Sequence, residues 1–186
     1  RVREEAIKRD HRKLGRGLEL FFFHETAPGL AYWLPKGLTL KNTLIEFFRQ
    51  YHREHGYQEI ASPLINKKEL WEISGHWQYY KDDMFLTKSK SDEQWALKPM
   101  NCPNAMVTFG FKSRSYRDLP LRFSDSDILH RDEIPGALHG LMRARCFCQD
   151  DSHNFITEEQ IKDEAAAILQ IARDFYGAFD IADKVK

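Results

Sequence analysis

Between residues 143 and 153 the side chains separate into two sets when taken alternately. Arg143, Arg145, Phe147, Gln149, Asp151 and His153 form one set; Ala144, Cys146, Cys148, Asp150 and Ser152 form the other. Successive side chains of a β-strand point to opposite faces, so a strand here would show two guanidiniums, a ring, an amide, a carboxylate and an imidazole on one side. Guanidiniums beside an aromatic ring match a phosphate joined to a base. The Gln, Asp and His beyond them match a small polar molecule, held directly or through a metal. Periodicity alone favours a plain solvent-facing strand, so the choice rests on what surrounds it.

Upstream lie Arg131-Asp132-Glu133 and a long loop, 134–142. Two strands joined by such a loop bring Arg131, Arg143 and Phe147 together. Arg131 and Arg143 then offer forked donors to phosphate oxygens, Phe147 a stacking face, and Glu133 an acceptor for an exocyclic amine. As isolated residues, Arg131 and Glu133 make only a surface ion pair of little worth. Cys102, in the run Lys98-Pro99-Met100-Asn101-Cys102-Pro103, and His153 are both zinc-ligand types. Alone, a cysteine is more often a small buried apolar group and a histidine more often a hydrogen-bonded one. His76 in Gly75-His76-Trp77 can exchange protons near neutral pH, or simply cap a helix end.

The bulk properties set the frame. A chain of 186 residues, 42% hydrophobic and 13% aromatic, suits one folded domain with a sizeable core. Basic and acidic residues number 28 each, so no global positive field recruits nucleic acid, and any RNA contact needs a local patch or another domain. Three cysteines make no disulfide framework and suit a reducing, cytoplasmic setting. Cys146 and Cys148 are not read as joint ligands of one ion. No apolar run approaches the roughly 20 residues of a membrane-spanning helix.

The elements that must position these residues follow from pattern and punctuation. Residues 1–15 read as a helix ending near Gly15, 18–24 as a strand, and Ala27-Pro28-Gly29 as a turn. Residues 39–55 read as a helix with Leu40, Leu44, Phe47, Phe48 and Tyr51 on one face and Gly56 as its stop. Residues 57–60 extend toward Pro63. Asn66-x-x-Glu69 reads as a capping box for a short helix to Ser74. Residues 85–87 and 94–97 are expected to pair across the hairpin 88–93, and 103–111 to form a short helix with proline in its first turn. Residues 121–130 read as extended. Thr157-x-x-Gln160 is a second capping box, followed by a helical stripe of Ile161, Ala165, Ile168, Ala172, Phe175 and Phe179, read as core. Mostly antiparallel strand pairs with helices between them define an α+β fold.

In order along the chain, these segments resemble the threonyl-tRNA synthetase family of class II aminoacyl-tRNA synthetases. The resemblance begins at Arg9-Asp10-His11-Arg12-Lys13-Leu14-Gly15. It passes through Ser74-Gly75-His76-Trp77, Lys98-Pro99-Met100-Asn101-Cys102-Pro103 and Ser115-Tyr116-Arg117-Asp118-Leu119-Pro120-Leu121-Arg122. It continues through His130-Arg131 and Leu138-His139-Gly140-Leu141-Met142-Arg143 to Gln149-Asp150-Asp151-Ser152-His153. It covers nearly the whole chain, and residues 1–186 are read as the N-terminal part of a class II catalytic domain, with motif 1 at about 39–63 and motif 2 at about 128–151.

The resemblance implies a fold, an activity and roles. The activity is the activation of threonine with ATP and Mg²⁺ to threonyl-adenylate, followed by transfer to tRNA(Thr), in a homodimer built through motif 1. It assigns Arg131 to the α-phosphate, Arg143 to the γ-phosphate end, Phe147 to adenine stacking and Glu133 to the adenine amine. Met100, Gln149 and Asp151 line the threonine pocket, Cys102 and His153 are two zinc ligands, and His76 assists attack by the ribose hydroxyl. Zinc in this family reads the threonine hydroxyl, so valine is rejected strongly, by a factor of order 10⁴, and serine poorly. A third zinc ligand, motif 3, and the editing and anticodon-binding domains are expected outside this sequence, so the chain itself is expected to be impaired. Two departures stand out: Asn104-Ala105 replaces the usual Gly-His after Pro103, and Cys146 occupies a position where many relatives have Gly. The alternative is a non-catalytic synthetase-like module that dimerises and binds a nucleotide or a protein partner. A closed structural zinc module is weaker still, because it needs four ligands.

Overall fold

The computed structural model describes residues 7–182. Asp10 opens helix α1 (His11–Gly17), its carboxylate accepting from the Arg12 amide at 2.9 Å. The helix expected over 1–15 is therefore interrupted at Asp10, and its residues 1–6 lie outside the described residues. Gly15 is not the stop. It lies inside α1 against Phe21, whose ring carbons stand 2.5 Å from where a Cβ would be. β1 (Phe21–Phe23) then pairs antiparallel with β2 (Ala31–Trp33).

Helix α2 (Pro35–Glu54) starts four residues before the expected Thr39. Pro35 fills its first position, where the missing N–H leaves no bond unmade. Gly37 lets this turn touch the Leu20 backbone; a Cβ there would stand 1.9 Å from Leu20 O. Of the expected apolar face, Leu40 and Phe47 remain exposed, while Phe48 stacks on Phe175 at 4.1 Å. After β3 (Gln58–Glu59) and β4 (Ile65–Lys67) comes α3 (Lys68–Ile73). The capping box expected at Asn66 does not form: Lys67 is the cap residue, with no side-chain bond, and Asn66 Nδ2 donates instead to Pro63 O at 3.0 Å. Gly75, at φ +77, separates α3 from α4 (His76–Tyr80).

β5 (Leu86–Lys88) and β6 (Gln94–Leu97) form the expected hairpin, and β4 completes a sheet in the order β4-β6-β5. Trp71, Met84 and Ala96 make its buried core, with Leu70 and Trp77 against them. Helix α5 (Cys102–Phe109) includes Asn104, which is buried and helical.

The expected strand 121–130 is two strands, β7 (Leu121–Asp125) and β8 (Ile128–His130), and the expected strand 143–153 is likewise β9 (Cys146–Cys148) and β10 (Asp151–Phe155). The two breaks match. Asp125 pairs with Asp151, two residues intervene on each side, and Ile128 then pairs with Cys148. One long hairpin thus passes from the sheet β10-β7-β3 into the ribbon β8-β9. β3 runs parallel to β7 and every other strand pair is antiparallel, as an α+β fold requires.

The capping box at Thr157 forms with both of its bonds, ahead of α6 (Ile161–Gly177). The face that α6 buries is rotated from the expected stripe. Glu164 and Ile171 are buried, while Ile161, Ile168 and Phe179 are exposed. The reason is electrostatic: Glu164 accepts from Arg122 Nε on β7 at 2.7 Å and from Asn154 Nδ2 on β10 at 3.1 Å, so the helix sits on the sheet through a carboxylate.

Candidate active site

Arg131, Glu133, Arg143, Phe147 and Gln149 line one cleft of about 490 Å³, together with Leu141, Met142 and Ala144. β8 and β9 build it. Leu129 lies opposite Phe147, and the Arg131 amide donates to Arg145 O at 3.0 Å, which continues the ladder past the last paired residues. Arg131 is two residues beyond Leu129 and so shares its face with Phe147; its guanidinium carbon is 5.0 Å from the ring centre. Arg143 donates from Nε to Glu133 Oε2 at 2.9 Å and stays largely in water. The cleft therefore presents two cations, a ring and an acceptor.

Arg145 is not part of that surface. It donates to Glu133 O at 2.9 Å and Pro28 O at 3.4 Å, and its own amide donates to Gly29 O at 2.8 Å. Its task is to hold the loop base. The loop 134–142 is closed by an antiparallel bridge between His139 and Arg143 and by Leu141 N donating to His11 Nε2 at 3.0 Å. Gly140, at φ +56, leaves room for that histidine.

The far end of the site comes from three elements. The segment after β6 is pinned at Lys98, whose amide donates to Leu64 O and whose carbonyl accepts from His130 N at 2.9 Å. The Lys98 side chain is fully buried and donates to Ser62 Oγ and Asp127 Oδ2, both at 2.7 Å. Burial raises the Asp127 carboxyl, but Lys98 and the Ser62 amide outweigh it and leave the net shift downward. This pinning delivers Pro99 O to Arg131 Nε at 3.2 Å and Met100 Sδ to within 3.1 Å of His76 Nε2. His76 opens α4; it does not cap the end of a helix.

Asn101 Nδ2 donates to Asp151 Oδ2 at 3.2 Å, which brings the start of α5 to the start of β10. At the other end Phe109 stacks on Phe155 at 4.0 Å. Asp151, His153 and Phe155 share one strand face, so α5 lies along the face that carries His153. The Cys102 thiol is raised by burial and by the nearby Asp151 carboxylate. Asp125, opposite Asp151, is fully buried; burial raises its carboxyl, and its Oδ2 has no partner.

Zinc is the metal that the family resemblance implies. His153 Nδ1 is buried without a hydrogen-bond partner. Among the described residues, however, no group of three His, Cys, Asp or Glu side chains converges as a metal site. Cys102 and His153 are two residues of zinc-ligand type and by themselves fall short of a catalytic zinc site, which needs three protein ligands. Cys146 and Cys148 share the opposite face of β9, in an apolar cleft with Trp33, Leu44 and Phe48, and burial raises the Cys146 thiol.

Sequence reasoning found the cleft residues but not Lys98, Asp127, Ser62 or His11. Lys98 carried a signal, a lysine inside an otherwise apolar run beside a proline. Its partners, 29 and 36 positions away, had none.

This hairpin-built cleft, on a mixed sheet with a parallel strand, is the architecture of the class II tRNA synthetase core domain (G, H, P, S and T), whose family model matches residues 85–186; the chain belongs to that family. The relatives it resembles are threonine–tRNA ligases. It is 51% identical over 176 residues to that of Acetivibrio thermocellus and, equally, to that of Clostridium botulinum, covering 95% of this chain and 28% of each relative. The chain thus spans under a third of the length of the curated relatives it matches. Among solved structures, it superposes on the RNA binding domain of threonyl-tRNA synthetase from Cryptosporidium parvum Iowa II with a TM-score of 0.89 and 45% identity, over 91% of this chain and 42% of that one. A prolyl-tRNA synthetase from Giardia lamblia shares the fold, with a TM-score of 0.82 at 18% identity, over 92% of this chain and 36% of that one.

Proposed function

We propose that this chain carries the amino-acid activation site of a threonine–tRNA ligase. The observation that carries the reading is the shared cleft of Arg131, Glu133, Arg143, Phe147 and Gln149, joined at its far end by the His76–Met100 and Asn101–Asp151 contacts. A threonine carboxylate oxygen attacks the α-phosphorus of ATP, and the bond to pyrophosphate breaks. Arg131 stabilises the charge that develops on the α-phosphate, from a position already fixed by Pro99 O. Arg143 turns from Glu133 to the terminal phosphates, whose Mg²⁺ accompanies the nucleotide. Phe147 stacks the adenine, and Glu133, released, accepts from its amine.

Met100, Gln149 and Asp151 receive the threonine. Cys102 and His153 would be two of the ligands of a zinc ion, which would supply recognition of the amine and hydroxyl. His76 stands beside Met100 to assist the ribose hydroxyl of tRNA(Thr) in the transfer step. The face of α2 on which Leu40 and Phe47 are open to solvent serves as the homodimer contact. The setting that accompanies this activity is cytoplasmic. No helix of the described residues is long and apolar enough to cross a membrane.

The test is ATP–pyrophosphate exchange by the complete gene product, with threonine, serine and proline compared. Threonine is expected to drive it best, and a higher rate with either other amino acid overturns the substrate assignment. A second reading is a non-catalytic module that dimerises and binds nucleotide or a protein partner. No exchange with any amino acid, together with retained ATP binding, supports that reading.

A further inference from the structure

The strand that carries the amino-acid end is held from behind by a contact with no part in the reaction just described. Asp151 and His153 face α5, so Ser152 and Asn154, and Asp150 at the turn before them, face the other way. There the buried His52 of α2, only 5% exposed, places Nε2 2.8 Å from Asp150 Oδ1. The imidazole stands edge-on to Tyr57 at 4.6 Å, and the Tyr57 hydroxyl accepts from Asn154 Nδ2 at 3.2 Å. His52 and Tyr57 thus grip the back of the strand on both sides of Asp151 and His153.

The position of this grip matters. Gln149 and Asp150 are the two residues between β9 and β10, where the chain leaves one sheet for the other and belongs to neither ladder. Their flanking pairs are fixed by backbone hydrogen bonds, whereas Asp150 is fixed by the His52 contact. Behind it lies a cleft of about 290 Å³ lined by Phe48, Tyr57, Ser152, Ile171 and Phe175, so a turn freed from His52 has space to move into. The nucleotide end is held by separate contacts, Arg131 to Arg145, Arg145 to Glu133 and Lys98 to His130, none of which involves α2.

We infer that His52, acting through Asp150, is a positioning residue for Gln149 and Asp151, and that it sets affinity at the amino-acid end of the cleft while leaving the nucleotide end unchanged. The inference rests on the activation-site reading above. It also connects α2, the proposed dimer helix, to substrate selection.

The experiment is steady-state ATP–pyrophosphate exchange by the complete gene product and its His52→Ala, Asp150→Ala and double variants. Displacing a binding group by a fraction of an ångström to an ångström costs about tenfold to a hundredfold. KM for threonine is expected to rise by about that factor in each single variant while KM for ATP stays within about twofold. The double variant should match the singles, because both remove one contact. His52→Gln, which keeps a donor near the Nε2 position, should recover most of the threonine affinity, and His52→Leu should not. A parallel rise in both KM values, or a loss of thermal stability with neither KM changed, overturns the inference and leaves the activation site standing. A wild-type protein without threonine-dependent exchange removes the activation-site reading and this inference with it.

Discussion

The Arg131 guanidinium lies over the Phe147 ring, its carbon 5.0 Å from the ring centre. A partly solvated contact of this kind contributes about 0.5–1 kcal/mol, little enough for an incoming nucleotide to replace. The two groups should therefore separate by function. Arg131→Ala is expected to lower the exchange rate by about 10²–10³ with a small change in melting temperature. Phe147→Ala should chiefly raise KM for ATP, by about tenfold or more, and Phe147→Tyr should restore it. Initial-rate exchange assays with ATP varied distinguish the two; equal effects on KM from both alanine variants would refute the assignment.

Glu164 is the acid-sensitive joint between α6 and the sheet. Its hydrogen bonds from Arg122, which outweigh burial, hold its carboxyl below the ordinary value. A carboxyl lowered by folding stabilises the native state above its unfolded pKa, and that contribution fades as pH falls through the native value. Glu164→Gln is expected to cost about 3 kcal/mol at pH 7, the low end for a broken buried pair because Arg122 keeps part of its side chain in water. Urea unfolding at pH 7 and again below pH 4 (about the unfolded value) should show the gap between wild type and variant narrowing in acid.

Asp125 should behave with the opposite sign. Burial raises its carboxyl, so the folded state binds the proton more tightly than the unfolded chain does. Its contribution is then most favourable in acid and declines as pH rises through the native value. Asp125→Asn keeps an oxygen for the Asp127 amide, which donates to Oδ1 at 3.0 Å, and removes the buried charge. The variant is expected to match or exceed wild-type stability at pH 7 and to lose that advantage near pH 4, in the same unfolding series.

Packing depth separates two aromatic residues. Trp71 is fully buried among Met84 and Ala96, whereas Phe175 stacks on Phe48 at 4.1 Å in a half-buried site. Trp71→Ala should cost about 3–5 kcal/mol and Phe175→Ala less, by chemical denaturation. A larger loss at Phe175 would mean that the α2–α6 contact, not the β4-β6-β5 sheet, dominates the core.

Zinc provides a direct measurement. With Cys102 and His153 as its ligands, the 186-residue chain is expected to bind zinc weakly and to lose that binding on Cys102→Ser. Metal analysis after dialysis checks this, and stoichiometric zinc retained by the isolated chain would contradict it.

Much of the site was legible because its residues sit on a hairpin with strict alternation. Phe147 and Gln149 could be placed on one face from spacing alone, and the capping box at Thr157 announced α6. What spacing could not show was the switch of sheets. Neither Ser126-Asp127 nor Gln149-Asp150 contains a glycine or proline to mark a break, and the break exists only because the two strands change partners together. Arg145 was placed on the cleft face by the same alternation, yet the carbonyls of Pro28 and Glu133 claim it. Long-range ion pairs were equally silent: Glu164 lay inside a helical stripe whose apolar members pointed elsewhere, and Arg122 is 42 residues away.

The bond from the Leu141 amide to His11 joins positions 130 residues apart. It moors the crown of the long loop to the first described helix. On the proposed activation-site reading, any outward swing of that crown, whether to admit ATP or to release pyrophosphate, must first cast off from His11. On that reading the tempo of nucleotide traffic would be partly set by a segment remote from the reacting atoms, and shortening the chain at its beginning would unmoor the loop even with every ligand-contacting side chain intact.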